Sequence, residues 1–236
     1  MPASVSLATL RTRTRELANM EVAAGTSFVE DAELDRRINS ALRELYDKLV
    51  GAHGQGYYEV STAIPTVAGT SLYTLPADFY KLSVVTLDDG SNFVPLAPFM
   101  PQERWALRQL GVGNNSSMYL TKYRLQPTQI ELLPAPGAVY TLTVHYIPAM
   151  TDLALPADTF DGVNGWEEWA CLTAAIGMLN KEESDPSALM AERARIDARI
   201  QGLVGNRDAG DPDVVQDTRR DWADEYWFWS HSDWLG

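Results

Sequence analysis

The stretch DAELDRRINSALRELYDKLVGAHGQGYYEVSTAI, residues 31–64, contains two different hydrophobic periods and decides the fold class. Its first part has the apolar spacing of an amphipathic helix, carried by Leu34, Ile38, Leu42, Leu45 and Leu49. Asp31 is expected to be the N-cap of this helix. From residue 57 the pattern alternates, as YYEVSTAI, which predicts a strand. A long helix followed directly by strand patterns predicts an α+β chain.

Helical spacing occurs in three further segments, which lie on both sides of the strand region. The apolar stripe of residues 5–20 consists of Leu7, Leu10, Leu17 and Met20. The stripe of residues 164–182 consists of Trp166, Trp169, Ala170, Thr173, Ala174 and Met178. A last helix, capped by Ser184 or Asp185, carries Leu189, Ile196, Ile200 and Leu203. Because each stripe needs an apolar partner, the helix pairs 1–56 and 164–206 are expected to form one helical domain, a bundle of about four helices.

Residues 57–150 are predicted to form a mostly antiparallel β unit that is inserted between the helix pairs. The predicted strands are YYEVSTAI, SLYTL, YKLSVVTL, NFVPL, SMYLT, KYRLQ, QIELL and VYTLTVHYI. DDGS at 88–91 predicts a hairpin turn, and a short helix is expected at 101–110, where Pro101 suits the first turn. Residues 151–163 are a connection, and residues 207–236 are predicted to be an extended C-terminal docking tail.

The sequence contains no short motif of catalysis or cofactor binding. His53, His145 and His231 lie far apart and lack the spacing of metal ligands. The one cysteine, Cys171, lies in the apolar stretch WACLTAAIGML and is predicted to be a buried side chain. A single cysteine cannot form an intrachain disulfide, which fits folding in a reducing compartment. We therefore predict a protein that is not an enzyme and has no metal and no cofactor.

The chain is acidic, with 32 acidic and 19 basic residues and a formal net charge of −13. This opposes tight nonspecific binding to nucleic acid, which depends on clustered Lys and Arg. No window approaches the roughly 18 uninterrupted apolar residues of a membrane span, so no membrane contact is expected. The basic residues cluster in two helices, as Arg11, Arg13 and Arg15 and as Arg193, Arg195 and Arg199. They either pair with neighbouring acids or form a basic patch for a lateral neighbour or a tail-side partner.

The C-terminal stretch DWADEYWFWSHSDWLG, residues 221–236, is unusually aromatic for a chain end. Its large aromatic residues are Trp222, Tyr226, Trp227, Phe228, Trp229 and Trp234. Adjacent exposed aromatic side chains invite aggregation, whereas Trp and Tyr are enriched at binding hot spots. The stretch is therefore predicted to dock, on another protein, on a neighbouring subunit or on its own domain.

Five segments occur in the order LPADFYKL (75–82), DGVNGWEEW (161–169), KEESDPSAL (181–189), ARIDARI (194–200) and NRDAG (206–210). With the layout of helix pair, β insert and helix pair, they resemble the head-to-tail adaptor (connector) proteins of tailed bacteriophages. The resemblance covers roughly residues 7–210 and stops before the aromatic stretch.

The resemblance implies a virion structural protein of the neck, made in the host bacterial cytoplasm. It implies a ring of identical subunits, commonly twelve-fold, that lies beneath the portal and carries the tail. The expected partners are the portal protein, a tail or nozzle protein and further copies of the chain, while genomic DNA passes through the lumen without sequence-specific binding. The aromatic tail is expected to dock on the portal first, on a neighbouring adaptor second and on its own domain third.

Two other functions stay open at this point. One is a tail-tube or tail-fibre attachment protein of the same particle. The other is a non-phage module that binds its ligand in an aromatic groove.

Overall fold

The computed structural model describes residues 4–20, 29–52, 58–110, 121–161 and 165–204. Within these ranges the helices are α1 (Leu7–Leu17), α2 (Asp31–Ala52), α3 (Arg104–Leu110), α4 (Glu167–Lys181) and α5 (Ser187–Val204). The strands are β1 (Ser4–Ser6), β2 (Val60–Pro65), β3 (Leu72–Thr74), β4 (Phe79–Asp88), β5 (Phe93–Pro95), β6 (Lys122–Leu125), β7 (Gln129–Leu133), β8 (Thr141–Pro148) and β9 (Thr159–Asp161). The α+β class is confirmed, and every strand pair in the described part of the chain is antiparallel. The predicted tail, 207–236, lies outside the described residues.

Four of the helices contribute to one hydrophobic core, which contains side chains of α1, α2, α4 and α5. Helix α4 is central, because it packs against the other three and buries residues on most of its surface. The stripe predicted for α2 is confirmed, since all five of its apolar side chains are at most 2% exposed. The bundle geometry and the domain boundaries stay predictions.

The predicted stripe of α5 is correct in its middle and wrong at its end. Ile196 and Ile200 are buried, whereas Leu203 is 45% exposed. Helix α5 has 18 residues and its partner α4 has 15, so the last turn of α5 extends past the surface that covers the rest of the stripe.

The residues that cap the starts of α2 and α5 were predicted to within one residue. Asp31 is the first residue of α2, and the carbonyl oxygen of Glu30 accepts the N–H of Leu34. The cap position therefore belongs to Glu30, and the prediction that Asp31 is the N-cap is wrong by one residue. At α5 the carbonyl oxygen of Pro186 accepts the N–H of Met190, so Pro186 has the backbone cap position. The side chain that caps this helix is the predicted Asp185, whose Oδ1 accepts the N–H of Ser187 at 2.9 Å.

The β unit consists of two sheets that pack face to face. One has the strand order β2-β8-β4-β5 and the other has the order β3-β7-β6. Both contribute to one apolar cluster, whose members include Val85, Leu87, Leu142, Val144, Tyr73, Ile130 and Leu132. The alternation read from the sequence of β8 is confirmed by the burial of its alternate residues at 142, 144 and 146. The predicted strand SMYLT falls mainly on residues outside the described part.

A two-stranded ribbon joins the chain start to the connection before α4. Strand β1 pairs with β9, and Val5 lies opposite Phe160. This ribbon was not expected, because each strand has three residues and gives no readable period. Its pairing joins segments far apart in sequence, which local patterns do not report.

The β unit meets the helices through a cluster of tyrosines. The Tyr46 hydroxyl donates to the Pro148 carbonyl oxygen at 2.8 Å, and the Tyr80 hydroxyl donates to Asp47 at 2.9 Å. The rings of Tyr46 and Tyr58 pack edge to face at 5.2 Å between centroids. A cavity of about 260 Å³ opens beside them, lined by Arg43, Tyr46, Asp47, Tyr80, Ala149 and Met150. These contacts fix the β unit on α2.

Candidate assembly surfaces

Two of the three arginines predicted for α1 are bound to carboxylates of the neighbouring helix α2. Arg11 donates from Nε and Nη2 to the two carboxylate oxygens of Asp35, each at 2.6 Å. Arg15 donates to Asp31 at 2.6 Å. The hydrogen bond to Asp35 raises the pKa of Arg11, and the hydrogen bond from Arg15 lowers the pKa of Asp31. These side chains hold α1 against α2.

The remaining contacts of this network reach the central helix. Arg13 donates to Glu168 of α4 at 2.7 Å, and that hydrogen bond raises the pKa of Arg13. Glu33 of α2 accepts from Lys181 at 2.6 Å and from Arg37 at 3.0 Å. Both hydrogen bonds, that of Lys181 most strongly, lower the pKa of Glu33. Ion pairs therefore connect α4 with both α1 and α2.

A glycine in α4 provides room for this network. Arg37 Nη1 lies only 2.6 Å from the place that a Cβ of Gly177 would occupy. A side chain at Gly177 would displace the guanidinium that Glu33 binds. The glycine is therefore explained by the close approach of Arg37.

The arginines of α5 are arranged differently from those of α1. Arg193 lies over the ring of Trp169, with 5.9 Å from its guanidinium carbon to the ring centroid. Arg195 pairs with Glu192 of its own helix at 3.5 Å, and its side chain is 70% exposed. Arg199 lies one turn further along and is also exposed.

The two arginine groups therefore differ in what they offer a partner. Glu168 contacts the first group and Trp169 contacts the second, and adjacent helical residues point in directions about 100° apart. The groups thus contact different sides of α4. A joint patch of all six arginines stays a prediction; Arg13, Arg195 and Arg199 are its exposed members.

The aromatic docking residues of the tail lie outside the described residues. They are Trp222, Tyr226, Trp227, Phe228, Trp229 and Trp234. Their docking role stays a prediction.

The most exposed large apolar side chain in the described part of the chain belongs to α3. Trp105 is 73% exposed, and Met100, just before the 3-10 turn Pro101–Glu103 that leads into the helix, is 65% exposed. Leu107 of the same helix is 7% exposed and packs with Phe99 and Leu133. The sequence predicted the helix but not its orientation. Because Leu107 follows Trp105 by two residues, about 200° around the helix, burial of Leu107 turns Trp105 outwards.

A buried carboxylate holds α3 on the second sheet. Glu131 of β7 has a side chain that is 4% exposed, and it accepts from Arg104 at 2.7 Å, from Arg108 at 3.4 Å and from Gln126 at 3.1 Å. A helix of seven residues is marginal by itself, so these contacts and Leu107 keep it folded. In the sequence, Glu131 is the only acid within the apolar strand pattern QIELL. An acid inside a buried strand indicates that a basic partner packs against it.

A second exposed aromatic side chain lies on the hairpin between β4 and β5. Phe93 is 64% exposed and lies opposite Asp88 in the strand pair. Asp89 in the turn accepts the N–H groups of Ser91 and Asn92 at 2.8 and 2.7 Å. Hydrogen bonds from Asn92 and Ser91 lower the pKa of Asp89, which keeps that carboxylate charged. The hairpin therefore combines an exposed ring with two acids.

The Cys and His side chains of the described residues have no arrangement typical of a catalytic or metal-binding site. Cys171 is 1% exposed, and burial raises the pKa of its thiol to about 12. His145 lies 3.4 Å from Glu59. The described ranges contain no cluster of three or more His, Cys, Asp or Glu that could hold a metal ion. Within the same ranges, each helix is too short or too polar to cross a membrane.

Comparison with known protein families matches residues 5–225 to the family model described as SU10 adaptor protein. Among solved structures, a chain from the "Neck of empty GTA particle computed with C6 symmetry" is similar, with 16% sequence identity and a TM-score of 0.26. That alignment covers 83% of this chain and 93% of the other. Comparison with curated proteins finds no match.

Proposed function

The chain belongs to the SU10 adaptor protein family, and from this premise we propose that it forms a ring between the portal and the tail of a phage particle. The observation that carries the proposal is the extent of the family match, from residue 5 to residue 225. The match includes both helix pairs and the β unit. It also confirms the resemblance to head-to-tail adaptors that five sequence segments indicated.

The proposed ring has the portal above it, a tail or nozzle protein below it and identical copies beside it, commonly twelve in all. The described structure supports a scaffold of this kind in two ways. Ion pairs and an apolar core hold the helices together. The β unit adds a surface with several exposed apolar side chains, which suits contacts with other subunits. The role is structural and requires no active site.

We propose that genomic DNA passes through the lumen without sequence-specific binding. The net charge of −13 supports this, because an acidic wall gives DNA no gain from counterion release. In an assembled ring the electrostatic potential of the lumen should be negative. A basic channel wall would contradict this part of the proposal.

The aromatic tail is proposed as the anchor that holds the ring to the particle. Burying one aromatic side chain contributes about 2–3 kcal/mol, so several would dominate a docking contact. A tail that becomes ordered on docking loses part of this energy to ordering entropy. This cost of ordering disfavours premature closure of the ring away from the capsid.

Removal of residues 222–236 tests the anchor. The shortened protein should remain folded and soluble and should fail to join heads that carry a portal. A matched control keeps the length and charge of the tail and replaces its six aromatic residues with Ser. Both variants should fail if the aromatic side chains are the anchor. Normal attachment of either variant would refute the anchoring role.

A further inference from the structure

Two exposed aromatic side chains of the β unit have surroundings of opposite charge. Trp105 on α3 is 73% exposed and Phe93 on the β4–β5 hairpin is 64% exposed. Most exposed apolar side chains occur singly and need no explanation. These two differ because charged groups flank each of them and because side-chain hydrogen bonds hold the elements that carry them.

The first site, here called the α3 patch, consists of Met100, Trp105 and Arg108. Trp105 and Arg108 are three residues apart on the helix and therefore lie side by side. Arg104 and Arg108 share the one carboxylate of Glu131, so two positive charges meet one negative charge. The α3 patch is thus apolar with an excess of positive charge, in a chain whose net charge is −13.

The second site, here called the hairpin patch, consists of Phe93, Asp88 and Asp89. Phe93 and Asp88 are direct partners in the β4–β5 ladder, so both side chains lie on the same face of the sheet. Asp88 accepts the N–H of Gly90 at 2.7 Å, and Asp89 accepts N–H groups of the turn. The hairpin patch is thus apolar with negative charge.

We propose that the α3 patch of one copy binds the hairpin patch of the next copy in the ring. This inference rests on the proposed ring. A closed ring requires two different, mutually complementary surfaces on every subunit. The two patches meet that requirement, because an aromatic side chain faces an aromatic side chain and positive charge faces negative charge.

A second copy is favoured over the chain's own patches as the occupant. Within one chain Trp105 and Phe93 each leave more than half of the side chain exposed, so neither covers the other. Each subunit offers one patch of each kind, so the numbers match in a ring of any size. Trp is also among the residues that most often dominate binding energy at interfaces.

Cysteine cross-linking of the full-length protein tests the contact. The native thiol of Cys171 is buried and resists deprotonation, so it provides a low background. Three variants keep both aromatic side chains: Ser91→Cys in the hairpin turn, Gln109→Cys one turn after Trp105 in α3, and the control Val139→Cys. All three sites are exposed, and Val139 belongs to neither patch. The probe is disulfide formation under mild oxidation, followed on non-reducing gels.

An equimolar mixture of Ser91→Cys and Gln109→Cys should form a covalent dimer. It should form about tenfold faster than in the mixture of Ser91→Cys with Val139→Cys, which corresponds to about 1.4 kcal/mol. The double variant Ser91→Cys/Gln109→Cys should form a ladder of oligomers, because each copy then carries both ends of the contact. Adding Asp88→Asn to the Ser91→Cys protein should slow the reaction, since the amide loses the charge.

Equal rates in the two mixtures would overturn the proposal. So would a double variant that closes its disulfide within one chain, or dimers formed only by Ser91→Cys with itself. Imaging the same protein on the portal distinguishes this failure from failure of the proposed function. Rings without the cross-link would refute only the patch contact, whereas the absence of rings would refute the proposed function.

Discussion

The helical part and the β unit use arginine in opposite ways. In α1 the arginines are bound to carboxylates of α2 and α4, and they join helices whose apolar faces are already covered. In α3 two arginines bind one buried carboxylate and hold a short helix whose tryptophan stays exposed. The arginines of α1 therefore connect helices of the core, whereas those of α3 leave an exposed aromatic side chain that a partner can bind.

The distribution of exposed apolar side chains agrees with this difference. In the described part of the chain twelve large apolar residues are exposed, and nine of them lie between residues 57 and 150. Among the described residues, the β unit therefore exposes more large apolar side chains than the rest of the chain does. Arginines that are matched one to one by carboxylates of the same chain, as in α1, offer a partner little net charge, whereas the two arginines of α3 share one carboxylate.

The largest difference in the free energy of unfolding is expected between variants of a core leucine and of the tryptophan of α3. Leu45 is fully buried in the helical core, so Leu45→Ala should lower the free energy of unfolding by about 2–5 kcal/mol. Trp105→Ala should change it by no more than about 0.5 kcal/mol, because the side chain is exposed. Urea unfolding of both variants measures the difference. A large loss for Trp105→Ala would show that this side chain is structural.

Removal of the carboxylate beneath α3 should have the next largest effect. Glu131→Ala leaves Arg104 and Arg108 without the group that fixes them, at a cost of about 2–3 kcal/mol. The amide protons of α3 should lose protection from hydrogen exchange, while those of α4 keep it. Glu182→Ala serves as the exposed control. Unchanged protection of α3 would mean that Leu107 alone anchors the helix.

The pair between α1 and α2 should contribute less than Glu131 does. Arg11→Met removes two hydrogen bonds to Asp35, and we expect a loss of about 1–2 kcal/mol because both side chains are mostly shielded. Arg195→Met is the matched control, since its pair with Glu192 is exposed and should contribute less than about 0.5 kcal/mol. Equal effects in thermal unfolding would remove the distinction between bound and accessible arginines.

The smallest effects concern pH, and two glutamates should act with opposite sign. Burial raises the pKa of Glu167, so its contribution to stability is present below the ordinary pKa of Glu and is lost as pH rises through the folded-state pKa. The hydrogen bonds of Lys181 and Arg37 lower the pKa of Glu33, so its contribution is present above the ordinary pKa and is lost as pH falls. At pH 7 Glu167→Gln should therefore raise the unfolding temperature and Glu33→Gln should lower it.

The pH series provides its own control for these two variants. The gain of Glu167→Gln should vanish once the pH falls to about 4, near the ordinary pKa of Glu. The loss of Glu33→Gln should vanish only at still lower pH, below its folded-state pKa. Shifts of the same sign at pH 7 would contradict the assigned environments.

Local patterns were sufficient to predict most of the fold. The stripe of α2 and the alternation of β8 follow from period, which burial of one face imposes directly. The ribbon of β1 and β9 and the exposed Leu203 could not be predicted this way. The ribbon depends on pairing between distant segments, and the exposure of Leu203 depends on where its partner helix ends.

The candidate surfaces were less accessible to sequence reasoning. Arg11, Arg13 and Arg15 are identifiable as a group, but their partners lie on other helices, so only the structure shows that they are bound. The sequence places Trp105 in a short helix but does not indicate which face of that helix is buried. Its exposure follows from burial of Leu107 and Glu131, which is a property of tertiary packing.

Electron cryomicroscopy of the purified protein mixed with its portal decides whether this chain forms a ring between the portal and the tail. We expect a ring of this chain that is coaxial with the portal, with β units of neighbouring subunits in contact. A protein that stays monomeric and unbound in the presence of the portal would contradict it.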